Sequence, residues 1–339
     1  MSHGDAEKTA FTPSPYIVAE MASAHMGEVE RARAITAAAV EAGAHAIKYQ
    51  IWSRDAGTTP DHEDYEALGE LEFCRTEWLD IMAFAAAQGI DVAVDVDDLE
   101  SLAVALEGGV DILKIRASNI ACHELLESVA KTAKPVLLAT GASTTEEISA
   151  AVEILLHNGA QDLVLMHGFQ AFPTQPADTH LRALRFLATH YGQPVGYADH
   201  ADSNSPLAYL IPAAALVAGA RVIEKHITID RERETHDFES ALNGPEFKLL
   251  VQQLEQVRTA LGTDEHPMTA AENAYRDRFR KSVVAAVDIS AGETITALHI
   301  GFKRSGVPGT APDEAPGILG KAAIADIPVN SPIHLKMVR

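Results

Sequence analysis

The chain alternates short apolar runs with longer segments of helical periodicity, and this alternation repeats eight times before residue 262. Each unit spans about 25–35 residues, enough for one strand and one crossover helix. Neither GxGxxG nor GxxxxGK(S/T) follows a predicted strand, so a Rossmann or P-loop sheet is the weaker alternative. Eight consecutive units predict an α/β fold, a (β/α)8 TIM barrel, with its polar chemistry at the carboxyl ends of the strands.

Periodicity and turn residues predict the individual elements of this barrel. The polar stretch 52–70 has the length of a functional lid or rim rather than of a simple connector. The predicted strands are 16–20, 46–50, 90–94, 110–115, 135–140, 163–167, 194–197 and 221–223, and the predicted helices are 28–42, 77–88, 99–107, 123–131, 145–157, 181–190, one between the last two strands, and 246–261.

The composition and hydrophobic pattern of the sequence change after residue 262. Residues 263–279 are polar and are predicted to form a linker, whereas 280–339 carry short β-branched runs between Pro- and Gly-rich turns. A segment of about 60 residues is small for an independent core, so this domain is expected to lean on another surface. The predicted organisation is a catalytic barrel over 1–262, a linker, and a small C-terminal domain over 280–339. Its predicted strands are 282–287, 294–295 and 321–327.

The charge balance limits the partners of this chain. A net charge of −21 argues against nucleic acid and against an anionic membrane surface. The two cysteines, Cys74 and Cys122, are too few for a disulfide framework and suit a reducing compartment. The first residues lack the apolar segment of a signal peptide, and no run of about 20 apolar residues follows. A cytoplasmic protein is expected.

Acidic residues stand close to histidines at the ends of the last two predicted strands. Asp199 and His200 follow one strand, and Glu224 and His226 follow the other. Because parallel strands of a barrel end at the same face, these side chains are expected to converge. Imidazoles and carboxylates bind divalent metals, so the pattern indicates a metal site, with two unrelated histidines as the alternative. The polar residues predicted at strand ends are Glu20, Lys48, Gln50, Lys114, Arg116, Thr140, His167, Asp199, His200, Glu224 and His226.

Six segments match, in order, the motifs of one enzyme family. They are YIVAEMASAHMG (16–27), AGAHAIKYQ (42–50), KPVLLATGASTTEEI (134–148), GYADH (196–200), ARVIEKHITID (220–230) and RKSVVAAVDISAGETIT (280–296), the last followed by FKR at 302–304. With them the sequence resembles the sialic acid synthase family, the N-acetylneuraminate and related nonulosonate synthases. The resemblance covers nearly the whole chain, and it implies a (β/α)8 barrel followed by a C-terminal antifreeze-like (SAF, β-clip) domain.

The resemblance implies that phosphoenolpyruvate condenses with an open-chain sugar aldehyde at a site that depends on Mn²⁺ or Mg²⁺. The product would be a 3-deoxy-2-keto sugar acid, with His200 and His226 as metal ligands and Glu20 or Asp199 as the base. It also implies a domain-swapped homodimer in which Arg304 enters the partner subunit's site. The catalytic residues expected are Glu20, Lys48, Asp199 and His25, and the substrate-binding residues expected are Gln50, Lys114, Arg116, Thr140, Phe172, Tyr197, Asp237 and Arg304.

Several hydroxyls that would hold the donor phosphate in this family are absent. The family's K-I-G-S is Lys114-Ile115-Arg116-Ala117 here, its S-T-G is Ala139-Thr140-Gly141, and its S-D-H is Ala198-Asp199-His200. Arg116 can replace these contacts with a bidentate phosphate contact, or it can pair with Asp95 or Asp97. The aromatic residues Phe169, Phe172 and Phe238 alter the sugar end, so an acceptor other than ordinary N-acetylmannosamine is expected.

Two other functions fit part of this pattern. An aldolase or lyase of the same fold would use a different keto-acid donor, which the altered phosphate pocket favours. A non-catalytic sugar-binding descendant would need neither the metal nor the donor. The presence of both histidines and of Lys48 and Lys114 makes that descendant the least favoured hypothesis.

Overall fold

The computed structural model describes residues 10–169, 171–234, 236–263 and 265–339. Contacts divide the chain into two compact units, the first ending at Gly262 and the second beginning at Thr263.

The first unit is built around a closed barrel of parallel strands. The strands pair in chain order, and the ring closes where the first strand pairs with the eighth. A ninth, two-residue strand pairs in parallel with the carboxyl end of the eighth. The predicted (β/α)8 barrel is therefore confirmed. The strands are β1 Tyr16–Glu20, β2 Ala46–Ile51, β3 Asp91–Val96, β4 Ile112–Ile115, β5 Val136–Ala139, β6 Leu163–His167, β7 Val195–Asp199, β8 Ala220–Thr228 and β9 Leu242–Asn243.

Helices connect successive strands and cover the outside of the barrel. Thr144 and Glu147 form a capping box at the start of the helix after β5. Of the helices in the described ranges, none has the length and apolar character needed to cross a membrane. The helices are α1 Val29–Ala42, α2 Arg54–Gly57, α3 Tyr65–Leu71, α4 Arg75–Ala87, α5 Leu99–Glu107, α6 His123–Ala130, α7 Thr145–His157, α8 Arg182–Tyr191, α9 Leu207–Val217 and α10 Gly244–Leu261.

The stretch 52–70, predicted as a polar loop, contains α2 and α3. These helices are too short to give a periodic pattern, and contacts between them hold them in place. The Arg54 guanidinium lies 4.4 Å from the centroid of the Tyr65 ring, and the Tyr65 hydroxyl donates to Asp55 at 2.6 Å. A cation–π contact of this kind depends on how the chain folds back, which periodicity does not reveal.

Strand residues alternate between the interior of the barrel and the layer beneath the helices. Val18, Leu137 and Val222 belong to a buried cluster inside the barrel. Their strand neighbours, such as Ile17 and Ile223, belong to a larger cluster together with helix residues. Odd or even position along a strand therefore decides which side chains can reach a site inside the barrel.

Apart from three short 3₁₀ helices, the described residues of the second unit form one α-helix and one two-stranded sheet. These elements are α11 Ala270–Phe279, which occupies much of the predicted linker, and the antiparallel pair β10 Ser282–Ala285 and β11 Ile300–Lys303. The predicted strands at 294–295 and 321–327 are reduced to isolated bridges, such as Thr294 with Ala322. Apolar residues including Val283, Ile318 and Ile333 form a separate small core, which explains why short β-branched runs suffice here.

Candidate functional site

A cavity of about 490 Å³ opens at the carboxyl ends of the barrel strands. The side chains that line it have the same parity as those inside the barrel. Lys48 stands two residues after Ala46 on β2, and Glu224 stands two residues after Val222 on β8. This volume lies in the range of small-molecule sites, about 300–1,000 Å³. Ten residues predicted from the sequence line the cavity: Glu20, Lys48, Gln50, Lys114, Arg116, Phe172, His200, Glu224, His226 and Asp237.

Lys48 lies on the cavity floor among three carboxylates. Its ammonium contacts Glu20 and lies 2.6 Å from Asp95 Oδ2 and 3.1 Å from Glu224 Oε1. Gln50 donates to the other Glu20 oxygen at 3.2 Å. Burial lowers the pKa of Lys48, although the Asp95 and Glu224 carboxylates favour its charged form. Two opposing effects thus act on the pKa of Lys48: burial lowers it, and the neighbouring carboxylates raise it.

Lys114 reaches the same floor from β4 and contacts Glu224 twice. Its ammonium lies 2.6 and 2.8 Å from the two Glu224 oxygens. Burial acts to lower the pKa of Lys114, but Glu224 outweighs it and raises the pKa above its usual value. Burial likewise opposes ionisation of Glu224, while Lys114 and Lys48 hold the pKa of that carboxyl well below its usual range. Any anion bound here shares both ammoniums with carboxylates already present.

The imidazoles of His200 and His226 lie side by side, with ring centroids 5.3 Å apart. Phe172 packs edge-on against them, at centroid distances of 4.6 and 5.9 Å. Burial lowers the pKa of His200 to about 4 and that of His226 well below its usual value, so both rings are neutral at pH 7. Nδ1 of His200 lies 3.0 Å from Phe169 O, and because a carbonyl only accepts, Nε2 keeps its lone pair.

This pair fits an incomplete metal site. Neutral imidazole with one nitrogen oriented by a carbonyl is the usual metal-binding form. Among the side chains that the structure describes, no group of three or more His, Cys, Asp or Glu is arranged to hold a metal ion. Glu224, the acid nearest along β8, is engaged by Lys114 and Lys48. The chain thus offers two ligands, and the other coordination positions would fall to substrate or water.

Arg116 lines the cavity and pairs with an acid at the same time. Its guanidinium contacts Asp97, whose carboxylate also accepts from Asn119 at 3.0 Å. Asp95, the other acid considered from the sequence, contacts Lys48 instead. A second cavity of about 390 Å³ shares Arg116 with the first. Arg116 therefore stands where the two cavities meet, and its partner Asp97 faces the second one.

Two predicted residues on β7 lie outside the cavity. Asp199 and Tyr197 have the opposite parity to His200, so they face the helices rather than the interior. The Asp199 carboxylate lies 2.6 Å from Lys225 Nζ, and both side chains are fully buried. Burial, with the Asp199 charge adding to it, raises the pKa of the Tyr197 phenol. Of the two acids considered as the base, Glu20 therefore lines the cavity and Asp199 does not.

Three more predicted residues are also outside it. Thr140 donates to Met166 O at 3.1 Å, because the chain after β5 turns its side chain away. His25 packs on Phe73 with ring centroids 4.4 Å apart, and burial lowers its pKa to about 4. Arg304 belongs to the second unit, and its guanidinium lies 4.8 Å from the centroid of the Phe279 ring.

Of three charged residues that organise the site, Glu224 was expected beside the metal and Asp95 as a possible partner of Arg116, whereas Lys225 had no predicted role. Glu224 and Asp95 neutralise the floor lysines, and Lys225 pairs with Asp199. Strand parity could have found the first two, since Glu224 stands two residues before His226 and Asp95 stands two residues after Ala93, on the interior face. Nothing in the sequence alone assigns Lys225 to its partner.

Comparisons with known proteins agree with the fold. The NeuB family matches residues 35–266, and the SAF domain matches 280–339. The chain is 33% identical over 291 residues to an uncharacterised protein of Methanocaldococcus jannaschii, covering 86% of this chain and 85% of that protein. It is 31% identical over 330 residues to a pseudaminic acid synthase of Campylobacter jejuni, covering 92% and 93% of the two chains.

A solved structure extends this likeness to three dimensions. The N-acetylneuraminic acid (sialic acid) synthetase of Leptospira borgpetersenii, solved in complex with citrate, superposes with a TM-score of 0.73 at 30% identity. The match covers 79% of this chain and 92% of that one. The family matches and this superposition agree, and this chain belongs to the NeuB family, with a SAF domain at its C-terminal end.

Proposed function

We propose that this protein condenses phosphoenolpyruvate with the aldehyde of an open-chain sugar, giving a 3-deoxy-2-keto sugar acid and phosphate. One observation carries the proposal. Two buried ammoniums, Lys48 and Lys114, stand in the same cavity as the neutral imidazoles of His200 and His226. An anionic donor and a polarised aldehyde need these two environments side by side. Relatives named as synthases, including the pseudaminic acid synthase of Campylobacter jejuni, support it.

The lysines would hold the donor. Glu224 accepts from Lys114 through two contacts, and an ammonium has three N–H donors, so one remains for an oxygen of the donor. Arg116 would add a guanidinium, which matches a carboxylate or phosphate with two parallel hydrogen bonds. Burying the donor's charges without such partners would cost several kcal/mol. The donor therefore binds where cations already stand, sharing them with Glu224 and Asp97.

His200 and His226 would hold a divalent ion, Mn²⁺ or Mg²⁺. When bound, such an ion polarises an aldehyde oxygen and stabilises negative charge that forms on it. The chain's own contribution is to keep both imidazoles neutral through burial and to exclude water with the edge of Phe172. Neutral rings need no deprotonation to bind a metal, so the site is ready at neutral pH.

Glu20 is the base in this proposal. Attack of donor C3 on the aldehyde carbon leaves positive charge at C2, which water captures, and loss of phosphate from C2 then yields the ketone. Glu20 lines the cavity and is oriented by the Ala22 N–H at 2.6 Å and by Gln50 at 3.2 Å. A carboxylate fixed in this way can take a proton from the attacking water.

We further propose an acceptor other than ordinary N-acetylmannosamine. Phe172 places an aromatic edge between the solvent and both imidazoles, and Asp237 offers a carboxylate at the rim. Burial raises the pKa of Asp237, and its carboxyl group is a hydrogen-bonding partner for sugar hydroxyls. An acceptor of different size, or without the N-acetyl group, suits an aromatic wall beside such a carboxyl.

The SAF domain completes the proposal. In a domain-swapped homodimer, Arg304 would enter the partner subunit's site and contact the acceptor. The second unit buries only a small core of its own, which is consistent with a domain that gains stability from another surface.

Phosphate release tests the proposal. Purified protein with Mn²⁺, phosphoenolpyruvate and a panel of aldoses and amino sugars should release phosphate with at least one acceptor. The His226→Ala protein should lose both this activity and Mn²⁺ binding. His167→Ala is the matched control, because His167 also ends a strand but contacts Thr179 O at 2.9 Å and does not line the cavity. No release with any acceptor would overturn the proposal.

A second candidate, an aldolase or lyase with another keto-acid donor, is favoured by the methyl groups that line the cavity. Ala117, Ala139 and Ala198 stand where hydroxyls would serve a phosphate, and Arg116 is engaged by Asp97. Each missing hydroxyl removes about 0.5–1.5 kcal/mol of hydrogen bonding. Thermal protection by pyruvate, but not by phosphoenolpyruvate, would favour this second function.

A further inference from the structure

We propose that Asp199 and Lys225 are positioning residues that set the spacing of His200 and His226. Neither side chain touches the cavity, and the ion pair between them lies behind the barrel wall. The inference rests on the proposed function, because it takes the two histidines as the metal ligands.

The pairing of β7 with β8 is the first observation that supports this inference. Asp199 on β7 and Lys225 on β8 are direct partners in the ladder between these strands. Each of them immediately precedes one of the two histidines. Side chains alternate along a strand, so the ion pair points outward while both imidazoles point inward. A contact that fixes the 199–225 pairing therefore fixes the relative height of His200 and His226.

Lys225 makes a second contact that reaches past the histidine. Its ammonium lies 2.6 Å from Asp199 Oδ2 and 3.0 Å from Ala201 O. It thus binds the residue before His200 and the residue after it. The His200 carbonyl is held in turn by the Ser240 hydroxyl at 2.8 Å. Two hydrogen bonds therefore hold the backbone at His200. Ser240 donates one to His200 O, and Lys225 on β8 donates the other to Ala201 O.

A purely stabilising role fits this pair poorly. Both side chains are fully buried, and taking two charges out of water costs several kcal/mol for each ion. Within the described part of the chain, Asp199 Oδ1 has no hydrogen-bond partner of normal geometry. The surrounding layer is mainly apolar and includes Ile223 and the ring of Tyr197. Apolar residues of similar volume would stabilise this layer at least as well, but they lack the directional bonds that lock one register.

The test separates metal affinity from stability. Asp199→Leu/Lys225→Met replaces the pair with apolar side chains, and Tyr16→Phe removes a hydrogen bond of 2.5 Å to Asp91 at the other end of the barrel. Full-length protein stripped with chelator is titrated with Mn²⁺, and free Mn²⁺ is followed by electron paramagnetic resonance. Melting temperatures are measured on the same samples.

We expect the double variant to melt at or above the parent temperature and to bind Mn²⁺ about 10–100-fold more weakly, as for other changes behind a metal ligand. The spectrum of its bound Mn²⁺ should also change. The Tyr16→Phe control should melt lower and bind Mn²⁺ as the parent does. Asp199→Asn, which keeps the shape and weakens the pair, should give an intermediate affinity and serves if the double variant does not fold.

The outcomes distinguish the two ideas. Parent-like Mn²⁺ affinity in a folded double variant, or in Asp199→Asn, would overturn the positioning role and leave the proposed function standing. A parent protein that binds no Mn²⁺ would overturn the proposed metal site, and this inference with it.

Discussion

Lys114 Nζ contacts both carboxylate oxygens of Glu224, at 2.6 and 2.8 Å, across 110 residues of sequence. The two residues stand on β4 and β8, four strands apart around the ring, so the contact spans the interior of the barrel. Lys48 contacts Glu224 as well, at 3.1 Å. One carboxylate thus contacts two buried ammoniums, and at Lys114 it outweighs the effect of burial and raises the pKa.

Replacing this carboxylate should destabilise the fold. We expect Glu224→Gln to lower the free energy of unfolding by about 3–5 kcal/mol, because it leaves the buried Lys114 ammonium without its contacting carboxylate. Urea denaturation measures the change. Glu127→Gln is the control, since Glu127 pairs with Lys131 at 3.3 Å on the surface, and its loss should cost less than about 1 kcal/mol. Equal effects of the two substitutions would contradict the role given to Glu224.

The pair of Arg116 and Asp97 should act on the donor in opposite directions. Arg116→Met is expected to raise the KM for phosphoenolpyruvate about tenfold or more with little change in kcat, since it removes a charged contact made equally before and during reaction. Asp97→Asn should lower that KM, because it frees the guanidinium. Steady-state kinetics of phosphate release measures both. If neither variant changed KM while both melted lower, Arg116 would serve only the ion pair.

His25 should make stability depend on pH. Burial lowers its pKa to about 4 from the usual 6.5, so the unfolded chain takes up this proton first as the pH falls. The stabilisation is complete above pH 6.5 and is lost progressively toward pH 4, with a slope of up to about 1.4 kcal/mol per pH unit. His25→Gln should show a shallower decline in this window, measured by urea denaturation at each pH. His62→Gln, at an exposed position, is the control and should keep the parent slope.

Mixing two inactive variants should restore activity if the SAF domain acts across a dimer. The His226→Ala chain has an intact Arg304, and the Arg304→Ala chain has an intact barrel. A heterodimer of the two would contain one complete site, so co-refolded chains should recover roughly a quarter of the parent rate. Refolding each variant alone is the control. The absence of recovery in a mixture shown to contain heterodimers would contradict the domain-swapped arrangement.

Much of the site could be predicted from the sequence because barrel chemistry gathers at strand ends. Lys48, Lys114, His200 and His226 lie in or directly after barrel strands, near the carboxyl ends, and all four line the cavity. The likeness to sialic acid synthases and the SAF domain is confirmed by the family matches. The roles assigned to these residues, and the metal, remain predictions.

Other features could not be predicted, for two physical reasons. Asp199 is the last residue of β7, and His200 directly follows it. Because side chains alternate along the strand, Asp199 points to the other face, where it pairs with Lys225. The helices α2 and α3 within 52–70 are too short to show a period and depend on contacts such as Arg54 on Tyr65. The approximate end of a strand can be predicted from the sequence. The face on which a residue near that end lies can be predicted only if the strand boundary is known to within one residue.

The sequence by itself determined the eight strand–helix units, the C-terminal domain and the residues gathered at the strand ends, because these follow from local periodicity and short motifs. Only the tertiary structure decided how the charges are shared. Glu224 serves two lysines from distant strands, Arg116 contacts Asp97, and Lys225 bonds to both neighbours of His200. Ion pairs of this kind depend on distances across the closed barrel, and sequence spacing carries no information about those distances.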